Sequence, residues 1–267
     1  MNIKSYFDYN PELELTVAQI GINKWDWVSI DKKDELQAAK IMLEQNFDIL
    51  PIDEGSSSIE SYFKTQSWGD YSKIEISKIA ESQKIYYRIS FFDLLKKMKN
   101  EKKNFYFLID SENVLGLITI SNLNSLAVYN YIYQITADLE RKMSGYIQNL
   151  ATEKEILNIL EKTSDKAANG VIKSFKNLKD NNQDNSIFQS LYFPMVSTIL
   201  KNLENKIPLE HEKLLEYRKK FNADQVYGSL RNEVAHPVKL IFTSFDSIIK
   251  VNELITDYYD IIDIINK

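Results

Sequence analysis

The sequence predicts an α+β protein, with an α/β segment over residues 1–124 followed by an all-α helical bundle over residues 125–267. Three observations carry that expectation. From Trp27 to about Asn124 short β-type runs alternate with helical ones. Beyond Asn124 nearly every segment places apolar residues at helical spacing. In the first segment the order strand, helix, strand occurs twice, an internal duplication at the level of pattern. A chain of 267 residues with 44% hydrophobic content is long enough to bury two cores.

The first copy is expected as a strand over 28–30, a helix over 34–45 with Leu36, Ala39, Ile41 and Met42 inward, and a strand over 49–52. Its counterpart is a strand over 86–90, a helix over 91–98, a strand over 105–109, a turn at 111–113 and a strand over 115–119. In the second segment the periodicity predicts helices over 126–147, 155–178, 187–203, 211–221, 226–236 and 245–265. Pro194 should kink or end the third of these, and residues 180–186 form a polar loop. In the last helix Phe245, Ile248, Ile255, Tyr258, Tyr259, Ile262 and Ile265 make a stripe expected to serve as core or dimer contact. Between Thr119 and Gly145 there is neither proline nor glycine, so the first bundle helix should follow the last strand without a flexible linker.

Composition narrows the chemistry. The absence of cysteine excludes disulfides, thiolate metal sites and cysteine nucleophiles, and two histidines leave little room for a His-rich metal site. The net charge is −5, with most of the acidic excess in residues 1–124, so neither half is basic enough to announce nucleic acid by charge. Any RNA contact would use a local patch. There is no apolar run of 18 residues, and residues 1–10 lack the apolar core of a signal peptide; a soluble, cytoplasmic protein with no membrane partner is expected.

Within the first segment, Val28-Ser29-Ile30-Asp31, Ala38-Ala39-Lys40-Ile41-Met42 and Asp48-Ile49-Leu50-Pro51-Ile52-Asp53 resemble the first motif of a CBS-domain pair. Phe107-Leu108-Ile109-Asp110, Val114-Leu115-Gly116-Leu117-Ile118-Thr119 and Asn122-Leu123 resemble the end of the second. The resemblance covers about the first 45% of the chain. It implies a cleft between two motifs that accepts an adenine nucleotide (AMP, ADP or ATP) as a regulatory ligand, with Thr119, Asn122, Asp48 and Pro51 as the binding residues. Asn122 stands where the family places a ribose-binding Asp; an amide still hydrogen-bonds a hydroxyl, without charge assistance. The first motif lacks the family's ending altogether, since Ser61-Tyr62-Phe63-Lys64-Thr65 and Trp68 replace it. One nucleotide site is therefore expected rather than two, and a dimerising scaffold with an empty cleft is the alternative.

In the second segment, Leu230-Arg231-Asn232-Glu233-Val234-Ala235-His236-Pro237 resembles the motif of HEPN domains, an Arg, a polar neighbour and then a His four to six positions on. An imidazole titrates near neutral pH and a guanidinium is a permanent phosphate holder, so the pair suffices for RNA cleavage without a metal or other catalytic cofactor. The resemblance implies attack by the ribose 2′-oxygen on the adjacent phosphate to leave a cyclic phosphate end. Arg231, Asn232 and His236 are the catalytic candidates, with Asn232 orienting substrate or its partner side chain. Residues five apart on a helix point about 140° away from each other. Pro237 disfavours the α conformation at His236, which frees that ring to swing back, and a two-fold homodimer would bring two such pairs to one cleft. The expected function is a homodimeric endoribonuclease regulated by nucleotide, a biochemistry that would suit a toxin. The alternative is a non-catalytic dimerising or binding scaffold. His211, beside Pro208 and Glu210, is expected to be exposed.

Overall fold

Two short helices show how the first unit is built. Asp34 accepts hydrogen bonds from the backbone N–H groups of Leu36 and Gln37 and so opens one; Ser90 accepts from Asp93 N–H and opens the other. Both helices run for 11 residues, and both are closed by a left-handed residue, Asn46 at φ 57° and Lys102 at φ 53°. After each cap two residues lead into a strand. This computed structural model describes residues 15–31, 33–55, 59–66, 70–163, 166–181, 186–222, 226–234 and 239–267.

In chain order the first unit, which extends to Ala127, contains β1 (Ile22–Asn23), α1 (Glu35–Gln45), β2 (Ile49–Ile52), β3 (Ser61–Thr65), β4 (Ile74–Lys78), β5 (Lys84–Tyr86), α2 (Phe91–Glu101), β6 (Phe105–Asp110) and β7 (Asn113–Thr119). Two sheets form, with orders β2-β3-β4 and β1-β7-β6-β5. The duplication is visible in the pairings. Before each helix the chain pairs in parallel with the strand after it, as an isolated Ile30–Ile52 bridge in the first copy and as β5 on β6 in the second. That strand then forms an antiparallel hairpin, Leu50 opposite Phe63 and Tyr106 opposite Ile118.

Strand alternation sorts the apolar residues between two layers. Leu50, Ile52 and Phe63 pack with Ala38 and Met42 of α1. Their neighbours Ile49 and Tyr62 turn the other way and pack with Phe105, Phe107, Val114 and Leu117 of the second sheet, Tyr62 lying 5.3 Å from Phe107 between ring centroids. Gly116 lets β1 close on β7, because a Cβ there would stand 2.3 Å from the Ile22 carbonyl oxygen.

Several expectations for this unit need correction. The strand over 28–30 shrinks to the single Ile30 bridge. On α1 the inward residues are Ala38 and Met42, with Ile41 partly buried; Leu36 is 86% exposed, because it lies half a turn from the Ala38–Met42 row. The strand expected over 86–90 ends at Tyr86, and Ser90 is a helix cap. Residues 61–65, assigned no element from the sequence, form β3, and β4 extends the first sheet.

The second unit, from Val128 onward, holds nearly all of α3 (Leu126–Leu150), then α4 (Glu153–Glu161), α5 (Lys166–Asp180), α6 (Phe193–Asn202), α7 (Leu214–Tyr217), α8 (Val226–Val234) and α9 (Phe245–Ile265). Val128, Ile132, Ile135, Leu139, Met143 and Ile147 form the buried row of α3. The helix expected over 155–178 is two, α4 and α5. Pro194 occupies the first turn of α6, where its missing N–H costs nothing, so it starts the helix rather than kinking it. On α9 the buried row is Ile248, Val251, Ile255, Tyr258, Ile261 and Ile264. Tyr259, placed on the stripe from sequence, is 42% exposed, and the row drifts by a residue at its C-terminal end because period 3.6 does not divide evenly into steps of three and four. Among the described residues no helix is long and apolar enough to cross a membrane.

Candidate functional site

Arg231 lies on the last turn of α8, where Tyr227, Leu230 and Val234 face the core. That places Arg231 at the edge of the core, its side chain 40% exposed, and Asn232 fully outward. The guanidinium does not stand free. Its Nε is 3.3 Å from Oε1 of Glu140 on α3, and its Cζ sits 5.6 Å from the centroid of the Tyr192 ring, immediately before α6.

Glu140 is shared. The same Oε1 accepts the Phe193 backbone N–H at 3.1 Å, one of the N–H groups that a helix start leaves without an intrahelical partner. One carboxylate oxygen thus joins α3, the start of α6 and α8. Burial raises the Glu140 carboxyl above the ordinary glutamate range, against the opposing pull of the Phe193 N–H and the Arg231 charge. An aromatic cluster fixes the surroundings: Phe193 stacks on Phe221 with centroids 5.3 Å apart, and Tyr227 leans on both. Arg231 is therefore oriented by packing and by Glu140, and its two η nitrogens have no acceptor among the described residues.

Of the three catalytic candidates, Arg231 and Asn232 are adjacent at the end of α8, and His236 lies outside the described residues. The other histidine departs from expectation. His211 is 8% exposed, its Nδ1 2.9 Å from the Tyr146 hydroxyl and its Nε2 buried without a partner among the described residues. Its own short turn, Leu209–His211, presses the ring inward onto α3.

The four nucleotide candidates fall into two pairs. At the end of β7 the Asn122 Oδ1 accepts both the Thr119 N–H (2.8 Å) and the Thr119 hydroxyl (2.9 Å). This closes a local cap on the 3-10 turn that follows, and it leaves the Asn122 amide N–H groups outside the cap. Asp48 precedes β2 and accepts the Thr65 hydroxyl at 3.3 Å; Pro51 is buried in β2 opposite Tyr62. The link between the pairs runs through aromatic rings, since Tyr62 lies 5.7 Å from Phe105, the strand partner of Thr119. In the first copy the position matching Thr119 is Lys64, opposite the first residue of β2 as Thr119 is opposite the first of β6. Lys64 is held by Glu75 at 2.9 Å.

Reading the sequence missed Glu140, and it missed two other buried carboxylates. Asp138 on α3 accepts the Tyr258 hydroxyl at 2.7 Å and pairs with Arg141 and Lys142. Asp257 on α9 accepts the Tyr227 hydroxyl and pairs with Lys220. Both lie on apolar rows, three residues after Ile135 and Leu254, and a carboxylate on a core stripe is the signal that could have found them. Among the described residues no three His, Asp or Glu side chains cluster as a metal site. No protein-family model, no curated protein and no solved structure matches this chain.

Proposed function

We propose that the helical unit cleaves RNA without a metal, with Arg231 holding a phosphodiester and His236 transferring the proton of the attacking 2′-hydroxyl or the leaving oxygen. The observation that supports this reading is the state of Arg231: a half-exposed guanidinium set by Glu140 and Tyr192, its η nitrogens without an acceptor among the described residues and Asn232 beside it. A guanidinium fixed in advance loses little freedom on meeting a phosphate. The attack forms a bond from the 2′-oxygen to phosphorus and breaks the bond to the 5′-oxygen, leaving a 2′,3′-cyclic phosphate. In this reading the catalytic assembly is a homodimer, and an adenine nucleotide held by Thr119, Asn122, Asp48 and Pro51 regulates it.

The decisive experiment incubates the full chain with total RNA in EDTA. Cleavage with cyclic phosphate ends, abolished in His236→Ala at unchanged helical content, is the expected result; RNA left intact with and without AMP, ADP or ATP rejects the reading. Arg231→Ala should also abolish cleavage, and its melting temperature must be recorded because Glu140 loses a partner.

A second reading, a non-catalytic scaffold, draws on the sheet unit. Thr119 and Asn122 satisfy each other, and Lys64 at the matching position is tied to Glu75. Calorimetry with AMP, ADP and ATP separates the two readings of this unit. Binding that weakens in Thr119→Ala supports regulation, and no heat at millimolar ligand leaves a scaffold.

A further inference from the structure

The helical unit carries a concave site whose lining does not include Arg231. A cleft of about 510 Å³ opens where the end of α4, the end of α6 and the turn Arg218–Phe221 meet. Phe193, at the start of α6, stacks on Phe221 and holds that helix against the turn. Three cations line it, Lys162, Lys201 and Arg218, and no carboxylate does among the described residues. None of the three forms an ion pair among the described residues, whereas Lys176, Lys179 and Lys206 of the same unit all do.

Helix ends could account for such lysines, since each C-terminus carries about half a negative charge. Two ends offset about one of the three cations. Some carbonyls near these ends are also engaged: Thr163 donates to Leu160 O and Asn202 to Thr198 O. Arg218 supplies an independent sign. Its Nε is closed off from water and has no acceptor among the described residues, so packing rather than an ion pair holds this side chain in the wall. Three cations gathered in one concave wall, with no carboxylate beside them among the described residues, concentrate a positive potential that suits an anion.

We infer that this cleft binds a compact phosphorylated small molecule carrying at least two negative charges, recognised through its phosphate oxygens. The volume is that of a small-ligand site. Ile159 is the apolar residue of the lining and no aromatic ring belongs to it, so there is no platform on which the bases of a strand would stack. The inference is independent of RNA cleavage at Arg231.

The test titrates pyrophosphate into the full chain by calorimetry at low and moderate salt. Saturable binding that weakens with salt is expected, and the double variant Lys162→Gln/Lys201→Gln should lose at least about tenfold in affinity, the worth of one charge-assisted contact. Both lysines are exposed, so the fold survives their replacement. Arg218→Gln should weaken binding similarly. The control Lys40→Gln/Lys96→Gln removes the same charge from exposed positions of the other unit and should leave affinity unchanged. No saturation, or equal loss in the control, overturns the inference. So does a single-stranded RNA that binds more tightly than pyrophosphate and depends on the same three residues, because it would make the cleft a strand site.

Discussion

Arg231 and Arg218 stand in the same helical unit and meet opposite fates. Arg231 has Glu140 at 3.3 Å and the Tyr192 ring beneath it; among the described residues Arg218 has a buried Nε with no acceptor and, for company, two lysines with no ion pair. The sheet unit shows the same divide in milder form. Thr119 and Asn122 close on each other, and Lys64 at the matching position closes on Glu75. A motif marks which residues could do chemistry, but the partners that the fold delivers decide how each one is held: Arg231 by a carboxylate on the Nε edge of its guanidinium, Arg218 by packing.

The largest effect should come from breaking the compensated side. Glu140→Ala removes the acceptor of the Phe193 N–H and the counter-charge of Arg231 in one step, in a site that is 15% exposed on the acid side. A loss of about 2–4 kcal/mol is expected in equilibrium denaturation. Glu140→Gln keeps the oxygen for Phe193 and should lose far less; equal losses in the two variants would show that Glu140 does not cap α6.

Varying pH sharpens the same comparison. Burial raises the folded-state pKa of Glu140, so between the ordinary glutamate value and the raised one the native state binds more protons than the unfolded state. Stability from this group is full below the ordinary value and declines as pH rises through the raised one. The stability of the wild type relative to Glu140→Gln should therefore fall across that window. A gap that does not change, or one that widens in favour of the wild type, contradicts the burial argument.

A smaller effect is expected at the sheet unit. Asn122→Ala removes the acceptor of two Thr119 donors and should cost about 1 kcal/mol, the usual worth of a cap. Asn122→Asp keeps the acceptor and should be close to neutral in a melt. Smallest of all is Arg218→Gln, expected within about 0.5 kcal/mol of wild type because Arg218 makes no ion pair among the described residues. A loss as large as that of Glu140→Ala would mean that Arg218 is compensated after all, and the contrast between the two arginines would collapse.

Patterns with a short period were legible without the structure. The helix over 245–265, the strand over 49–52 and the strand that begins at Phe105 are recovered because residues a few positions apart share a face, and a face needs only local sequence to declare itself. Punctuation was harder. The helix expected over 155–178 ends at Glu161 and a second one begins at Lys166, and Pro194 opens α6 because it follows a turn that the sequence does not announce. The short strands β3 and β4 mix polar residues with apolar ones, and their identity rests on partners elsewhere in the chain: Lys64 meets Ile49 and Glu75, neither of which is near it in sequence. Exposure of single polar residues was also out of reach, as the buried His211 against Tyr146 shows.

By itself, then, the sequence determined the α+β order, the repeated strand-helix-strand unit, the apolar rows of the long helices, and the Arg231–Asn232 pair at the end of one of them. Those depend on spacing along the chain, which folding preserves. Only the tertiary structure decided that Glu140 claims Arg231, that Asn122 turns back on Thr119, and that Lys162, Lys201 and Arg218 share one cleft. These depend on which distant side chains come within a few ångströms, and electrostatic and hydrogen-bond energies at such distances are set by the neighbour rather than by the residue.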